Sequence, residues 1–199
     1  MKQTPSRYTK TAIILHWLIA IFIALMFGLG WFMADLPKEA PKQLAYDLFD
    51  LGVYTWQLAE EASPRTFYFN LHKSLGLTVL ALIVLRVLWR ITHTPPAALS
   101  SYKAIEKKVA TATHHSLYLL MLAVPVTGLI MAINSKYGVK WFGIDVIAGL
   151  DNKPVRDFFE CTHEFVGIVL LVLIGIHLLG ALKHKFIDKD DTMSRMSLK

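Results

Sequence analysis

The last long apolar stretch of the chain, residues 158–185, contains two histidines, His163 and His177. They are fourteen residues apart, which places them about 40° apart on one face of an α-helix and about 21 Å apart along its axis. An ionisable side chain in a membrane-spanning helix is costly and faces the interior of the helix bundle. Two stacked imidazoles on one face therefore predict two cofactor sites, one near each membrane surface.

Two more histidines lie at matching depths in other apolar stretches. His16 lies near the start of the first stretch and His72 near the start of the second, and successive spans run in opposite directions. His16 is therefore expected at the level of His177, and His72 at the level of His163. A flat macrocycle with an axial imidazole on each face requires such pairs, and helix-bundle cores are where these sites are built. The pattern predicts two haems whose iron ligands are these four histidines.

The fourteen-residue interval recurs elsewhere in the chain. The residues that follow His16, His72 and His114 by fourteen positions are Gly30, Arg86 and Gly128. Glycines at these levels, and Gly76 and Gly167 one turn beyond a predicted ligand, leave space for a planar ring; close helix packing is the alternative. Arg86 is predicted to pair with a haem propionate, and snorkelling of its guanidinium to the headgroups is the alternative.

The remaining histidines, His93, His114, His115 and His184, lie at the ends of the apolar stretches. Their predicted place is the membrane interface. Of these, His184 is the one whose position also allows a role at the site, because it follows His177 by seven residues on nearly the same helical stripe. The chain's one cysteine, Cys161, excludes an internal disulfide and a metal site built from thiolates; it is predicted to be an inert thiol near the outer surface.

Two imidazoles fill both axial positions of a haem iron, so such a haem transfers electrons and does not activate oxygen at the metal. Two such haems in opposite halves of a bilayer form a transmembrane electron path. Two other classes stay open: a proton or metal-ion transporter that uses the intramembrane histidines, and a membrane anchor subunit for a redox partner. The transporter is disfavoured because Glu164 is the only acid well inside a span and no inverted repeat is recognisable.

The composition is that of a membrane protein. Of 199 residues, 54% are hydrophobic and 18% are charged, and the mean hydropathy of +0.44 is too high for an ordinary soluble domain. Four runs approach spanning length, at residues 12–34, 67–91, 114–134 and 158–182. They predict an all-α, four-transmembrane-helix bundle in a single membrane domain of residues 1–199. The external connection 35–66 is predicted to contain an amphipathic helix, with a plain loop as the alternative.

Positive charge follows the predicted topology. The N-terminal segment, the connection at 85–112 and the C-terminal segment together carry thirteen Lys and Arg, whereas the two other connections carry seven. The positive-inside rule then places both termini in the cytoplasm. The formal net charge of +6 is explained by this topology and indicates no nucleic-acid partner.

Several segments resemble the bacterial cytochrome b561 family. They are H-W in the first span, HKSLG and VLWR in the second, YLLMLAVPVTGLIM in the third, and HEFVG with a following histidine and KHKFIDKDD in the fourth. The resemblance covers nearly the whole chain. It implies a four-helix protein of the bacterial inner membrane that exchanges electrons with the quinone pool. It also implies two non-covalent b haems, ligated by His16, His72, His163 and His177.

The same resemblance has implications for the redox partners. Some members are similar to quinone-coupled superoxide oxidases, which take an electron from superoxide outside the membrane and reduce ubiquinone. The connection 35–66 is longer here than in the shortest members and carries about three net negative charges, which repel an anion. That charge favours an extracytoplasmic protein partner with a basic face, and Lys73 is predicted to offset it locally. The family places the quinone near Trp17 and His184.

Overall fold

Four long α-helices form the body of the computed structural model, which describes residues 6–99 and 101–198. They are α1 (Lys10–Asp35), α2 (Pro64–Thr92), α3 (Ala104–Ile133) and α4 (Lys153–Lys183). Each is long and apolar enough to cross a membrane, and at most 17% of its most apolar window is buried within the protein. The other apolar side chains are available to lipid, so the predicted all-α, four-helix membrane fold is confirmed.

Local sequence signals set the ends of the helices. α1 begins where the side chain of Thr9 accepts a hydrogen bond from a backbone N–H of the first turn. α2 begins at Pro64, after the capping residue Ser63. Both are common signals for a helix start. α4 continues as a short π-helical turn, His184–Asp188, and ends at Lys189, whose left-handed φ of 52° stops the helix.

The third helix is longer than the sequence predicts. The apolar run predicts a span at 114–134, whereas one continuous helix begins at Ala104. Its first turn is polar, so hydropathy does not reveal it. Glu106 stabilises that turn by accepting a hydrogen bond from the backbone N–H of Lys103 at 2.9 Å. Glu106 also forms an ion pair with Lys183 of α4 at 3.0 Å, so the polar extension fastens α3 to α4.

The connection between α1 and α2 contains a β-hairpin, so the predicted amphipathic helix within 35–66 is wrong. β1 (Gln43–Asp47) pairs antiparallel with β2 (Thr55–Ala62), and Tyr46 lies opposite Trp56. Side chains along most of β2 alternate between partly buried and exposed, which is the period of a strand. Over so short a segment the apolar spacing suits a helix and a strand alike, and packing on the helices selects the strand.

A second, shorter hairpin follows α3. Its strands β3 (Val139–Trp141) and β4 (Ile144–Ile147) are antiparallel. Phe142 and Gly143 form the turn between them with positive φ angles of 48° and 91°, as tight hairpin turns require. The ring of Phe142 stacks on Trp56 with centroids 5.9 Å apart. The two hairpins thus form one layer, the outer cap; the bundle end beneath it is called the outer end, and the opposite end the inner end.

The helices pack in chain order, α1 against α2, α2 against α3, and α3 against α4. Under the outer cap an apolar cluster joins β1 to α1 and α2, and its buried members are Leu29, Tyr46, Phe67, Tyr68 and Leu71. A deeper cluster of Ile19, Val79 and Ile83 holds α1 against α2. In a lipid environment such contacts stabilise through close packing rather than through removal from water. These clusters fix the helices that carry His16 and His72.

Candidate cofactor site

The structure brings the four predicted histidines together in two pairs. The ring centroids of His16 and His177 are 6.4 Å apart, with the ring planes at 80°. The centroids of His72 and His163 are also 6.4 Å apart, with the planes at 86°. Each pair joins α4 to one helix of the α1–α2 unit, in the depth order that the sequence predicts.

This separation suits a metal ion between the two rings. An imidazole nitrogen lies about 2 Å from a metal that it ligates and about 1.1 Å from its own ring centre. Two imidazoles on opposite faces of one metal therefore have centroids roughly 6.2 Å apart. Both pairs are within a few tenths of an ångström of that value. The residues present fit two bis-histidine metal centres, one in each half of the bundle.

The His163 ring is held in place by the backbone of α3. Its Nδ1 lies 2.8 Å from the carbonyl oxygen of Val124 and 3.3 Å from Oγ1 of Thr127. A carbonyl accepts only from a protonated nitrogen, so Nδ1 carries the proton and Nε2 is left for a metal. By contrast, Nδ1 of His72 is buried with no hydrogen-bond partner among the described residues. The two ligands of the outer pair are thus fixed to different degrees.

Gly128 is the glycine whose missing side chain matters most for the space around a histidine ring. A Cβ placed there would lie 2.9 Å from Cε1 of His163, closer than side chains tolerate. A Cβ at Gly30 would approach Cε1 of His72 to 3.5 Å, an ordinary contact. At Gly76 and Gly167 the nearest atoms belong to Met26 and Phe27, at 3.6 and 3.9 Å. Gly128 is therefore the glycine that a histidine ring requires.

The structure adds a residue that sequence reasoning assigned to the interface. The ring of His114 lies against His177 with centroids 5.4 Å apart and planes at 66°. This separation is shorter than a metal between the two rings requires, so His114 lies beside His177 rather than opposite it. The fourteen-residue interval from His114 to Gly128 was a sequence signal for this contact. On α3, His114 contacts the ring of His177, and Gly128 lies against the ring of His163.

Arg86 lies in the inner half of the bundle. Its Nη1 donates a hydrogen bond to the carbonyl oxygen of Ala12 at 3.3 Å, and its guanidinium lies 5.8 Å from the centroid of Tyr118. It is close enough to His16 and His177 to interact electrostatically with both. The guanidinium therefore lies near the inner pair, and its pairing with a haem propionate stays a prediction.

Other predicted interfacial residues lie away from the pairs. His93 is exposed and stacks on Trp89 with centroids 3.8 Å apart. His115 and Cys161 are exposed. Lys73, one residue after a predicted ligand, donates a hydrogen bond from Nζ to the carbonyl oxygen of Gly138 at 3.1 Å. Its charge therefore sits between α2 and the outer cap.

The inner end contains an open cleft beside the first helix. The cleft has a volume of about 540 Å³ and is lined by Trp17, Lys185, Met193, Ser194, Met196, Ser197 and Leu198. The indole N–H of Trp17 donates to the carbonyl oxygen of Met196 at 3.0 Å, and Arg7 donates to the carbonyl oxygen of Ser194 at 2.8 Å. The C-terminal segment thus forms a wall of the cleft next to the helix that carries His16.

Comparisons with known proteins agree with this geometry. The family model described as prokaryotic cytochrome b561 matches residues 7–198. Cytochrome b561 homolog 2 of Escherichia coli is 36% identical over 196 residues, which cover 98% of this chain and 93% of that protein. Cytochrome b561 homolog 1 of the same organism is 26% identical, covering 96% and 97% of the two chains. A protein of Yersinia pestis named probable superoxide oxidase CybB is 24% identical, covering 96% and 95%.

The family match spans nearly every described residue, including both histidine pairs and the helices that hold them. Family membership accounts for the membrane helices and implies b-type haem and electron transfer. The chain therefore belongs to the prokaryotic cytochrome b561 family and is a multi-pass membrane protein of the electron-transfer class.

Proposed function

We propose that this chain carries electrons across the bacterial inner membrane through two bis-histidine b haems, between the ubiquinone pool and an extracytoplasmic redox partner. His16 and His177 form the inner site, and His72 and His163 the outer one. The observation that carries the proposal is the equal centroid separation of 6.4 Å in two pairs at opposite ends of one helix face. A transporter that uses isolated histidines has no need of two such matched pairs.

Each bound haem supplies one-electron exchange at an iron with no open coordination position. The protein's part is to hold and tune the ligands. Val124 and Thr127 hold Nδ1 of His163, which leaves Nε2 as the nitrogen that would ligate a metal in the outer pair. At the inner pair, the Arg86 guanidinium offers a charge-assisted partner for a haem propionate. Both roles would act on the orientation of a ligand or on the local charge around a bound haem.

The cytoplasm is proposed to face the inner end, in agreement with the excess of Lys and Arg on that side. Ubiquinone is proposed to bind at the same end, near Trp17 and His184. The cleft beside Trp17 supports this placement, because it opens next to the helix that carries His16. Trp17, which lines the cleft, directly follows His16 in α1, so a quinone bound there would lie near the inner pair.

The outer partner is proposed to be a protein with a basic face. β2 presents Glu60 and Glu61 to solvent, and the turn of the same hairpin exposes Asp50 with the apolar residues Leu51 and Val53. An acidic surface around an apolar patch suits a basic electron-transfer protein, since complementary charge accelerates its association. The hairpin contributes Tyr46 to the buried apolar cluster under the outer cap. Another member of that cluster, Leu71, directly precedes His72 in α2.

Superoxide is the second candidate for the outer partner. The Yersinia pestis relative is named a probable superoxide oxidase, and Lys73 with Lys140 brings positive charge to the outer cap. Two superoxide anions would give two electrons to the outer site, and one quinone with two protons would become quinol at the inner site. The acidic hairpin opposes the approach of an anion, so the protein partner is favoured.

The first experiment counts haems. Pyridine haemochrome analysis of the detergent-purified protein should give two b haems per chain, and carbon monoxide should leave the spectrum of the reduced protein unchanged. One haem per chain, or a carbon monoxide complex, would contradict the proposal.

A charge-reversal variant then separates the two outer partners. E60K/E61K should slow haem reduction or oxidation by a basic c-type cytochrome by roughly tenfold at low ionic strength, and it should accelerate the reaction with superoxide. D145K on the other hairpin, where Asp145 pairs with Lys140 at 3.3 Å, is the control for added charge. If both variants act alike on the cytochrome, hairpin docking is wrong.

A further inference from the structure

We propose that Asp190 is a positioning residue that fixes the ring of His184, so that Nε2 of His184 exchanges a proton with the quinone at the inner end. The inference rests on the proposed quinone site and adds the residue that orients its proton carrier. Asp190 lies beyond the last helix, in the KHKFIDKDD segment that resembles the family, and no helical period assigns it a role.

His184 continues the line of predicted ligands on α4. It follows His177 by seven residues, which places it on nearly the same stripe and about 10 Å further along the helix. Its side chain is only 16% exposed. The next residue, Lys185, lines the cleft beside Trp17. His184 itself is not among the residues that line the cleft. Its place beyond His177 on α4 puts it between the inner pair and the inner surface, where a proton has to enter for quinone chemistry.

The hydrogen bonds of the ring determine which nitrogen is left for this task. Nδ1 lies 2.8 Å from Oδ2 of Asp190 and 3.0 Å from Oδ2 of Asp188. A carboxylate can only accept, so Nδ1 carries a proton in both contacts. Nε2 is then the nitrogen that gains and loses the exchangeable proton. A carboxylate behind an imidazole in this way also stabilises the protonated ring when it forms.

Asp190 is itself held rigidly. Its Oδ1 accepts a hydrogen bond from the backbone N–H of Thr192 at 2.9 Å and another from the hydroxyl of Thr192. Its own backbone N–H donates to the carbonyl oxygen of His184 at 3.2 Å. Burial alone would raise the pKa of Asp190, but the hydrogen bonds from Thr192 and His184 outweigh burial and keep the pKa below its ordinary value. Asp190 is therefore a fixed, ionised acceptor at neutral pH.

A tyrosine from another segment completes the support. The phenol of Tyr102, just before α3, is hydrogen-bonded to the hydroxyl of Thr192, and its ring stacks on His184 with centroids 4.7 Å apart and planes at 25°. The imidazole is thus oriented at its edge by Asp190 and on its face by Tyr102.

Asp188 makes a similar contact but has a different main partner. Its Oδ2 lies 2.6 Å from Nζ of Lys183, and the same ammonium binds Glu106 of α3 at 3.0 Å. Asp188 therefore interacts mainly with the ammonium group of Lys183 rather than with His184. The charged and titratable groups beside the His184–Asp190 pair are Asp188, Lys183 and Tyr102, with Arg195 and Tyr8 close to Tyr102.

The proton step balances with the proposed electron path. Reduction of one quinone to quinol takes two electrons from the inner site and two protons from the inner solvent. His184 gives the proton on Nε2 to a quinone carbonyl oxygen as that oxygen gains negative charge, and it regains a proton from solvent. Oxidation of quinol runs the same transfers in reverse, with neutral Nε2 as the acceptor.

The test compares D190N with D191N in the full-length haem-loaded protein, using a short-tailed ubiquinol as the probe. Asp191 is exposed and serves as the matched control. D190N should lower the rate of quinol-driven haem reduction by roughly tenfold to a hundredfold, as loss of an orienting partner does, with KM changed less than kcat. The pH dependence of the rate should also shift. Reduction by dithionite and the haem content should equal those of the unsubstituted protein, and D190E should restore part of the rate.

Each contrary result has a distinct meaning. If D190N reacts with quinol as fast as D191N, or if D188N is as slow as D190N, the role of Asp190 is wrong. If D190N loses haem, Asp190 supports the inner site as a whole rather than the ring of His184. If H184A keeps the full quinol rate, the proposed quinone site itself is wrong, and the inference fails with it.

Discussion

The two halves of the bundle hold the same pair of side chains in different surroundings. The outer pair sits beneath an aromatic cluster and two hairpins, with His163 bonded to the α3 backbone and pressed against Gly128. The inner pair has a third imidazole beside it and the Arg86 guanidinium nearby. Identical ligands therefore meet a covered environment with Lys73 nearby on one side, and a guanidinium with a third imidazole on the other.

This contrast bears on the direction of electron flow. Positive charge near an iron favours the reduced form, because that form has one positive charge fewer. We expect the inner haem to have the higher reduction potential, so that an electron moves downhill from the outer to the inner half. Electron transfer from an outer donor to quinone follows from that order.

The largest expected effect comes from removing one ligand. H163A should lose the outer haem and H16A the inner one, and each variant should retain about half of the haem, because each iron depends on both of its axial imidazoles. Pyridine haemochrome analysis and the reduced-minus-oxidised spectrum measure this directly. H115A, which removes an exposed histidine, should retain both haems. Two haems in H163A and in H16A would refute the pairing.

Gly128→Ala should damage the outer half alone. The added Cβ would lie 2.9 Å from Cε1 and 3.0 Å from Nδ1 of His163, so the ring or the helix must move. We expect the outer haem content to fall by about half or more, while the inner haem is unaffected. Gly175→Ala on α4, where nothing lies within 4 Å of the new Cβ, is the matched control. Equal loss in both variants would mean that helix packing, not the ring, requires glycine.

Arg86→Gln should shift one potential of the two. Loss of the guanidinium should lower the inner potential by roughly 60 mV, about tenfold in a one-electron equilibrium, and leave the outer one unchanged. A redox titration followed by visible absorption of the haems measures the inner and the outer potential separately. Arg65→Gln, which removes a guanidinium at the outer end of α2 that binds the carbonyl oxygens of Ala34 and Leu36, should not move the inner potential. An unchanged inner potential in Arg86→Gln would support snorkelling instead.

The smallest effect concerns stability at the inner end. Because the folded protein holds the pKa of Asp190 below its ordinary value, the carboxylate stabilises the fold above about pH 4 and loses that contribution as the pH falls through the lowered pKa. D190N should lower Tm by about 1–3 °C near neutral pH, and the difference should shrink below about pH 4. Tm measured across this range, with D191N as reference, tests it.

The sequence predicted the four helices and the level of each histidine pair because both depend on regular periods. Apolar length sets the spans, and a fourteen-residue step returns to one helix face, so His163 and His177 need no tertiary information. The hairpin at 43–62 was missed because its side chains choose between two periods only through contact with α1 and α2. His114 was assigned to the interface because the polar start of α3, and hence its depth, is invisible to hydropathy.

The support for His184 was out of reach for another reason. Asp190, Thr192 and Tyr102 are brought together by a left-handed residue at Lys189 that turns the chain back on the end of α4. No periodicity records such a turn, and the contact between Tyr102 and Thr192 joins residues ninety positions apart. The parts of the site that depend on helix geometry follow from sequence; the parts that depend on a returning tail do not.

The single thiol offers one attachment point for a spectroscopic label near the outer histidine pair. Cys161 is the only cysteine in the chain, is exposed, and precedes His163 by two residues, which turns it about 200° away from that ring around α4. A fluorophore attached there would sit close to the outer centre without touching the ligand. Its emission, quenched to different extents by the two oxidation states, would follow electron arrival at that centre in real time in the unsubstituted protein.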